Sequence, residues 1–144
     1  SSAYVCWGPD NREATVRVPS TFWGAEEAST NLELKPADAS ANPYLAFGAL
    51  VAAGLDGIGQ KLEPPSPISV DPADLSEEER HAAGAARYPQ TLADALDALE
   101  GDRVLMDALG EPLARAYLAV RRSEVVAYGA HGDDFEFRQH FLKY

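Results

Sequence analysis

The sequence predicts an α+β protein in which a few antiparallel strands precede a mostly helical region. Short segments of alternating polarity lie in residues 1–36. Residues 42–144 instead show apolar side chains at helical spacing, with helix-capping residues ahead of them. Strands grouped before helices are typical of α+β proteins. We therefore expect a strand-rich part over 1–36 and a helical part over 42–144.

Two strands are predicted near the start of the chain. Residues 3–7 are rich in strand-forming side chains and run into the turn residues 8–11. Residues 14–18 alternate in polarity, which places Thr15 and Arg17 on one face of the second strand.

A third strand is predicted over 31–35, after a loop over 22–30 that contains Trp23. Leu32 and Leu34 are expected to face the core. Because side chains alternate along a strand, Glu33 and Lys35 then share the opposite face. Three strands make a small sheet, so we expect the sheet to continue in residues outside this chain.

Capping residues mark the predicted helices. Asn42 is a favourable N-cap, and Pro43 suits the first position of a helix. Thr91 with Asp94 matches a capping box for the segment that follows. The predicted helical segments begin at residues 43, 74–76, 92, 102 and 112, with one more in the tail, 131–144.

Composition excludes several classes of protein. The 144 residues include 23 acidic and 12 basic side chains, a net charge of −11, which disfavours nucleic-acid binding. The longest apolar stretch, 44–55, is shorter than the ~20 residues of a membrane span. The single cysteine, Cys6, is expected to be a buried thiol and not half of a disulfide. These features indicate a cytoplasmic protein that does not bind membranes.

Four charged side chains form the candidate site, and we expect them to lie on one face of the small sheet: Arg12, Arg17, Glu33 and Lys35. Arginine suits polyphosphate because its guanidinium group pairs with phosphate oxygens and keeps its charge. A carboxylate on a strand suits Mg²⁺, which takes oxygen ligands and shares them with nucleotide phosphates. Lysine is suited to an anionic substrate group. From spacing alone, a solvated sheet face with ion pairs explains the same pattern.

The order of several motifs resembles the glutamine synthetase family. Residues 11–19, NREATVRVP, are similar to that family's N-R-x-A-x-[VI]-R-[VI]-P segment. Residues 31–35, NLELK, resemble the segment that follows it in the family. Further similar segments, in the order of the family, are 41–45, 53–58, 89–92 and 116–122.

The resemblance implies an ATP-dependent ligase that uses Mg²⁺ or Mn²⁺. In that family ATP phosphorylates the side chain of glutamate, and ammonia attacks the resulting acyl phosphate. The site lies between adjacent subunits of a ring-shaped oligomer. The resemblance also implies that residues 1–144 are the C-terminal portion of the catalytic domain. Because the chain lacks an initiator Met, we expect it to be part of a longer enzyme and inactive alone.

Roles for individual residues also follow from the resemblance. Arg12 and Arg17 would be catalytic, ATP-binding residues that contact the phosphates, and Glu33 would be a metal ligand. Lys35 occupies a position where the family commonly has an arginine that binds the substrate carboxylate. Asn31 occupies the position of another phosphate-contacting arginine.

Two alternatives remain open. The departures at Asn31 and Lys35 are compatible with a γ-glutamyl amine or polyamine ligase of the same family. The chain is also compatible with a non-catalytic relative that retains the fold for binding or assembly.

Overall fold

The structure is a computed structural model that describes residues 3–132 and 134–141. Its contacts divide the chain into two compact units. The strand unit contains the chain up to Asp38 together with Glu63–Tyr88. The helical unit contains Ala39–Leu62 and the chain from Pro89 onward. The α+β class is confirmed, although residues 63–88 join the strands in one unit.

The sheet has three short strands in the order β1-β2-β3: β1 is Trp7–Pro9, β2 is Val16–Val18 and β3 is Glu33–Leu34. The β2–β3 pair is antiparallel, as expected. The β1–β2 pair is parallel, so the prediction of antiparallel strands is wrong for this pair.

A compact connection allows the parallel pairing of β1 and β2. Asp10 follows β1 with a φ of 51°, a left-handed conformation that aspartate tolerates better than most residues. The amide of Asp10 donates to Val18, and that of Val16 donates to Cys6, so both ends of the connection are bonded between the strands. Turn residues in sequence predict a reversal of the chain, but they do not define which strands pair after it.

Asn11 attaches this connection to the segment that contains Ile68. Its side chain is buried and donates to the carbonyl oxygens of Ile68 (2.7 Å) and Val70 (2.9 Å). Its own oxygen accepts from the Glu13 amide at 3.0 Å. Asn11, the first residue of the recognised motif, is therefore a structural anchor.

The first predicted strand is displaced in the structure. Tyr4 forms an isolated antiparallel bridge with Arg87, and the amide of Val5 donates to Ala86. Strand β1 begins only at Trp7 and includes two residues that were predicted as a turn. The partner segment lies about 80 positions away in the sequence, so local pattern contains no information about this pairing.

The core of the strand unit is small. The buried apolar residues Cys6, Ala14, Ile68 and Ala85 form one cluster. The prediction of a buried Cys6 thiol is confirmed. Leu32 is 59% exposed and Leu34 is 38% exposed, so the expectation that both face the core is wrong within this structure.

Two short helices and one turn complete the strand unit. Helix α1, Glu26–Ser29, lies in the segment that was predicted as a loop. A 3-10 turn, Pro72–Asp74, precedes helix α3, Glu77–Ala82. Ser76 begins α3 with a complete capping box, in which its hydroxyl accepts from the N3 amide and the N3 glutamate accepts from its own amide.

The caps of the helical unit confirm the predicted helix starts. The side chain of Asn42 accepts from the amides of Tyr44 and Leu45, that of Thr91 from Asp94, and that of Asp102 from Leu105. Leu142, predicted to lie in the last helix, is outside the described residues. The helices are α2 Pro43–Gln60, α4 Leu92–Gly101, α5 Arg103–Leu109, α6 Glu111–Gly129 and α7 Asp134–His140.

Burial in the helical unit is concentrated on α4 and α6. Leu96 and Ala114 are each 2% exposed. By contrast, most of the apolar face of α2 is exposed, with Phe47 67% and Ile58 76% exposed, whereas Leu50 on the same face is half-buried. Helical periodicity therefore predicts the helix correctly, but it does not fix the degree of burial. None of the helices in residues 3–132 and 134–141 combines the length and apolar character needed to cross a membrane.

Candidate functional site

Arg17 and Glu33 lie directly opposite each other on the antiparallel strands β2 and β3. The Arg17 Nη1 atom donates to both carboxylate oxygens of Glu33, at 3.2 and 3.3 Å. Opposed residues of an antiparallel pair project from the same face of the sheet. Their shared face follows from the register, which the alternating pattern of each strand could not supply alone.

Lys35 extends this pair into a row. Its Nζ atom lies 3.5 Å from the second oxygen of Glu33, and its amide donates to the Thr15 carbonyl at 2.9 Å. The side chains of Arg17 and Lys35 are 21% and 26% exposed, and that of Glu33 is 42% exposed. The three residues form a cation–carboxylate–cation row, called the charged row below, that solvent can still reach.

Asp10 is a further member of the site that the sequence analysis missed. Its Oδ1 atom lies 3.6 Å from Arg17 Nη2 and accepts from the Ser20 amide at 2.8 Å. Its Oδ2 atom accepts from the Ser20 hydroxyl. In the sequence Asp10 is only a turn residue, and its position beside Arg17 depends on the left-handed backbone after β1.

Arg17 retains one unused donor. Its Nε atom is buried and has no hydrogen-bond partner among the described residues. Buried donors are normally paired, so this nitrogen is an exception to the usual pattern. Two carboxylates hold the terminal nitrogens of this guanidinium group, so its orientation is fixed while its hydrogen-bonding capacity is incomplete.

Arg12 lies outside the strands β2 and β3 that carry Arg17 and Glu33. It occupies an exposed position in the connection between β1 and β2. The sequence analysis placed Arg12 with the other three residues on one face of a sheet. The structure brings Arg17, Glu33 and Lys35 together on that face and leaves Arg12 in the turn that Asn11 anchors.

The two carboxylates of the site favour their ionised forms. Partial desolvation alone would raise the pKa of Glu33, but hydrogen bonds and charge from Arg17, and then from Lys35, lower this pKa below its usual range. The pKa of Asp10 is lowered mainly by the hydroxyl and amide of Ser20, with a smaller effect of Arg17. Both side chains are therefore anionic at neutral pH.

Glu33 is the residue at which the sequence analysis expected a metal ion. No group of three or more potential ligands among histidine, cysteine, aspartate and glutamate occurs within them. Glu33 fits the oxygen chemistry of Mg²⁺, but both of its oxygens contact cationic side chains. Within the described residues, Glu33 is therefore held by Arg17 and Lys35 and is not one of a group of metal-ligating side chains.

The helical unit contains a cavity of about 510 Å³ with mainly apolar walls. The guanidinium group of Arg121 reaches it and is paired with Glu124 at 2.7 Å. The hydrogen bond from Arg121 to Glu124 raises the pKa of Arg121 and keeps it charged. This cavity lacks the combination of cations and exposed carboxylate that distinguishes the charged row.

Known proteins resemble this chain along nearly its whole length. Residues 1–140 match the family model described as "Glutamine synthetase, catalytic domain". A gamma-glutamylpolyamine synthetase, GlnA3, of Streptomyces coelicolor is 40% identical over 93% of this chain, and a glutamine synthetase of Archaeoglobus fulgidus is 36% identical over 96%.

A solved structure described as a GmaS/ADP complex superposes with a TM-score of 0.71 at 34% identity and covers 95% of this chain. The chain spans less than a third of each of these proteins: 29% of GlnA3, 28% of the Archaeoglobus enzyme and 29% of the GmaS chain. Because the family model covers nearly the whole sequence, this chain belongs to the glutamine synthetase family and matches its catalytic domain.

Proposed function

We propose that this chain forms one wall of the active site of an ATP-dependent glutamate–ammonia ligase. The reaction would form glutamine through a γ-glutamyl phosphate. The charged row is the observation that supports this function, because it places cations for anionic groups on both sides of a carboxylate suited to a metal. Membership of a family of ATP- and metal-dependent ligases supports the same chemistry.

Arg17 and Arg12 are the proposed phosphate-binding residues. The side chain of Arg17 is 21% exposed, and its terminal nitrogens are positioned by Asp10 and Glu33, so its guanidinium group is an oriented cation for a phosphate oxygen. A fixed cation stabilises charge that develops on the transferring phosphoryl group. Arg12, exposed in the neighbouring connection, would add a second cation when the nucleotide is bound.

Glu33 is the proposed ligand for Mg²⁺ or Mn²⁺. A divalent ion at this carboxylate would neutralise negative charge on the phosphates when bound. Since the described residues supply no three-ligand cluster, the remaining ligands would come from elsewhere in the active enzyme. For the same reason we propose that the chain by itself is inactive.

Lys35 is the proposed binding residue for the carboxylate of glutamate. Its ammonium group is held in the row by Glu33 at 3.5 Å. Lysine binds a carboxylate as a point charge, whereas arginine forms a bidentate pair, so this contact is less directional than an arginine contact. The partners proposed for the active enzyme are glutamate, ammonia or another amine, the remaining part of the catalytic domain, and further subunits of a ring oligomer.

A γ-glutamylpolyamine ligase is the second candidate. The similarity to GlnA3, 40% identity over 134 residues, favours this alternative, as does lysine at position 35. Comparing ammonia with polyamines as substrates of the complete enzyme separates the two activities. Strict preference for ammonia would eliminate the second candidate.

Binding of Mg-ADP, measured by calorimetry on the full chain, tests the proposed site. We expect Arg17→Ala to weaken binding at least tenfold, because it removes the oriented cation. Arg115→Ala is the matched control, since Arg115 is exposed and lies on α6 of the helical unit. Equal binding by both variants would refute the proposed role of Arg17.

An ATP- and amine-dependent γ-glutamyl transfer assay tests the proposal that the chain is one wall. We expect no turnover by the chain alone. Clear turnover would show that it contains a complete site. Three observations together would favour the non-catalytic alternative. The reading frame would start immediately before Ser1, the chain would bind nucleotide, and no assembly that contains it would show turnover.

A further inference from the structure

Trp23 is the most exposed large apolar side chain of the strand unit. It is 99% exposed, and its neighbour Phe22 is 74% exposed. The other tryptophan, Trp7, lies in β1 and donates its indole N–H to the Pro65 carbonyl at 2.7 Å. Trp23 and Phe22 together present an exposed aromatic surface that is available for stacking.

The turn that presents Trp23 is held by several hydrogen bonds. The Ala25 amide donates to the Phe22 carbonyl at 2.9 Å, which closes a four-residue turn with Trp23 and Gly24 at its centre. Gly24 has a φ of +78°, the conformation that a type II turn requires at its third residue. Trp23 is therefore placed at the corner of a defined turn and not in an unstructured loop.

Side chains from α1 accept hydrogen bonds from this turn at Phe22 and at Gly24. The Phe22 amide donates to the Ser29 hydroxyl at 2.8 Å, and the Gly24 amide donates to a carboxylate oxygen of Glu26, also at 2.8 Å. The Ser29 hydroxyl in turn donates to the Ala25 carbonyl at 2.7 Å. A side chain on a fixed turn loses little conformational freedom when it binds a ligand.

Hydrogen bonds connect the start of this loop to the charged row. Ser20 binds Asp10 through its amide and its hydroxyl, and Asp10 contacts the guanidinium group of Arg17. Trp23 follows Ser20 by three residues, a reach of roughly 10 Å of extended chain. This reach is an upper limit on the distance from Ser20 to Trp23, because the chain turns at 22–25, and it is within the length of a nucleotide from its terminal phosphate to its base.

We propose that Trp23 stacks on the base of the nucleotide whose phosphates Arg17 contacts. This inference rests on the proposed nucleotide-binding function of the charged row. Stacking on an indole ring uses the aromatic face that every base has, so it adds affinity without selecting one base strongly. Phosphate recognition and base recognition are thereby assigned to two elements, strand β2 and the turn that follows it.

Two probes measured by calorimetry test this assignment: Mg-ADP, which has a base, and Mg-tripolyphosphate, which has none. In the full chain, we expect Trp23→Ala to raise the Kd for ADP about 5- to 100-fold, in line with measured stacking effects. The Kd for tripolyphosphate should change less than about twofold. Trp23→Phe retains an aromatic face and should recover most of the affinity for ADP.

Arg17→Ala separates the failure of this inference from the failure of the proposed function. We expect it to weaken both probes. If Arg17→Ala weakens both probes and Trp23→Ala leaves ADP binding unchanged, the stacking role is refuted while the phosphate site stands. If neither this chain nor the complete enzyme that contains it binds either probe, the proposed function fails and the inference fails with it.

Fluorescence distinguishes stacking from an indirect effect on the loop. Replacing Trp7 by phenylalanine leaves Trp23 as the tryptophan of this chain that emits. In that variant ADP should quench the emission of Trp23 and reduce its further quenching by iodide, whereas tripolyphosphate should have neither effect. Equal weakening of both probes by Trp23→Ala would assign the residue a structural role and overturn the inference. A change of oligomeric state on Trp23→Ala, with ADP binding unchanged, would assign Trp23 to a contact between subunits.

Discussion

The Arg17 guanidinium group and the Glu33 carboxylate face each other across the β2–β3 pair, with Nη1 and Oε1 3.2 Å apart. The pair is partly exposed, so solvent screening limits its contribution to stability. The pair matters for function because it orients Arg17. Glu33 contacts one side of the guanidinium group, and Asp10 contacts the other side. A site arranged in this way presents Arg17 in one position before any ligand binds.

Glu33→Gln should make the free energy of unfolding of the strand unit less dependent on pH between pH 5 and pH 3. The folded protein lowers the pKa of Glu33 below its unfolded value of about 4.3. Its stabilising effect is therefore present above that pH and is lost as the pH falls through the lower folded pKa. Urea unfolding between pH 5 and pH 3 should show a smaller loss of stability for the variant than for the original chain.

Glu27→Gln, which changes an exposed carboxylate on α1, is the control for this measurement. We expect it to leave the acid dependence nearly as it is. If the stability of the Glu33 variant and that of the original chain depended on pH in the same way, the charged row would not be formed in solution.

Asn11→Ala should destabilise the strand unit by about 1–3 kcal/mol, because two carbonyl oxygens and one amide lose a buried partner. Asn31→Ala is a matched control, since Asn31 is exposed and its side chain donates locally to the Ser29 carbonyl. Chemical denaturation of both variants measures the difference. Equal stability of the two variants would show that Asn11 does not anchor the connection.

Gly8→Ala should destabilise the chain by about 1–3 kcal/mol through a steric clash. A methyl group at this position would lie 2.1 Å from the carbonyl oxygen of Ile68, which is backbone and cannot rotate away. Gly54→Ala on α2 meets no atom within 4 Å and should instead add roughly 0.5–1 kcal/mol by favouring the helix. Thermal unfolding should show a lower melting temperature for Gly8→Ala and a higher one for Gly54→Ala. An unchanged melting temperature for Gly8→Ala would show that residue 8 does not lie close to the Ile68 carbonyl oxygen.

Asn42→Ala should weaken the start of α2 by about 1 kcal/mol, because the amides of Tyr44 and Leu45 lose their acceptor. Asn42→Ser retains a capping oxygen and should keep most of the stability. Helix content by circular dichroism during thermal unfolding compares the two. A serine variant as unstable as the alanine variant would argue against capping as the cause.

Local features explain which elements were predicted well. Asn42, Ser76 and Thr91 each satisfy helix amides within three residues, so their effect can be recognised in the sequence. The displaced first strand and the short helix α1 were missed for different reasons. The first depends on pairing with residues near Arg87, and the second is a single four-residue turn with no side-chain cap.

The candidate site was predicted from motif order and alternation, and the structure brings three of its four residues together. Alternation places Glu33 and Lys35 on one face of a strand, but it does not show which residue of another strand lies opposite. The approach of Asp10 to Arg17 had no sequence signal beyond a turn. Trp23 was noted only as part of a loop, since exposure of a single side chain is not encoded by a local pattern.

The sequence by itself determined the helix starts, the family membership and the residue types available for chemistry. These depend on interactions within a few residues or on the order of motifs along the chain. Only the tertiary structure decided the parallel pairing of β1 with β2, the burial of Asn11 beside Ile68 and the contact of Asp10 with Arg17. The physical reason is that strand register and side-chain burial depend on partners distant in sequence, whereas capping and helical periodicity are local.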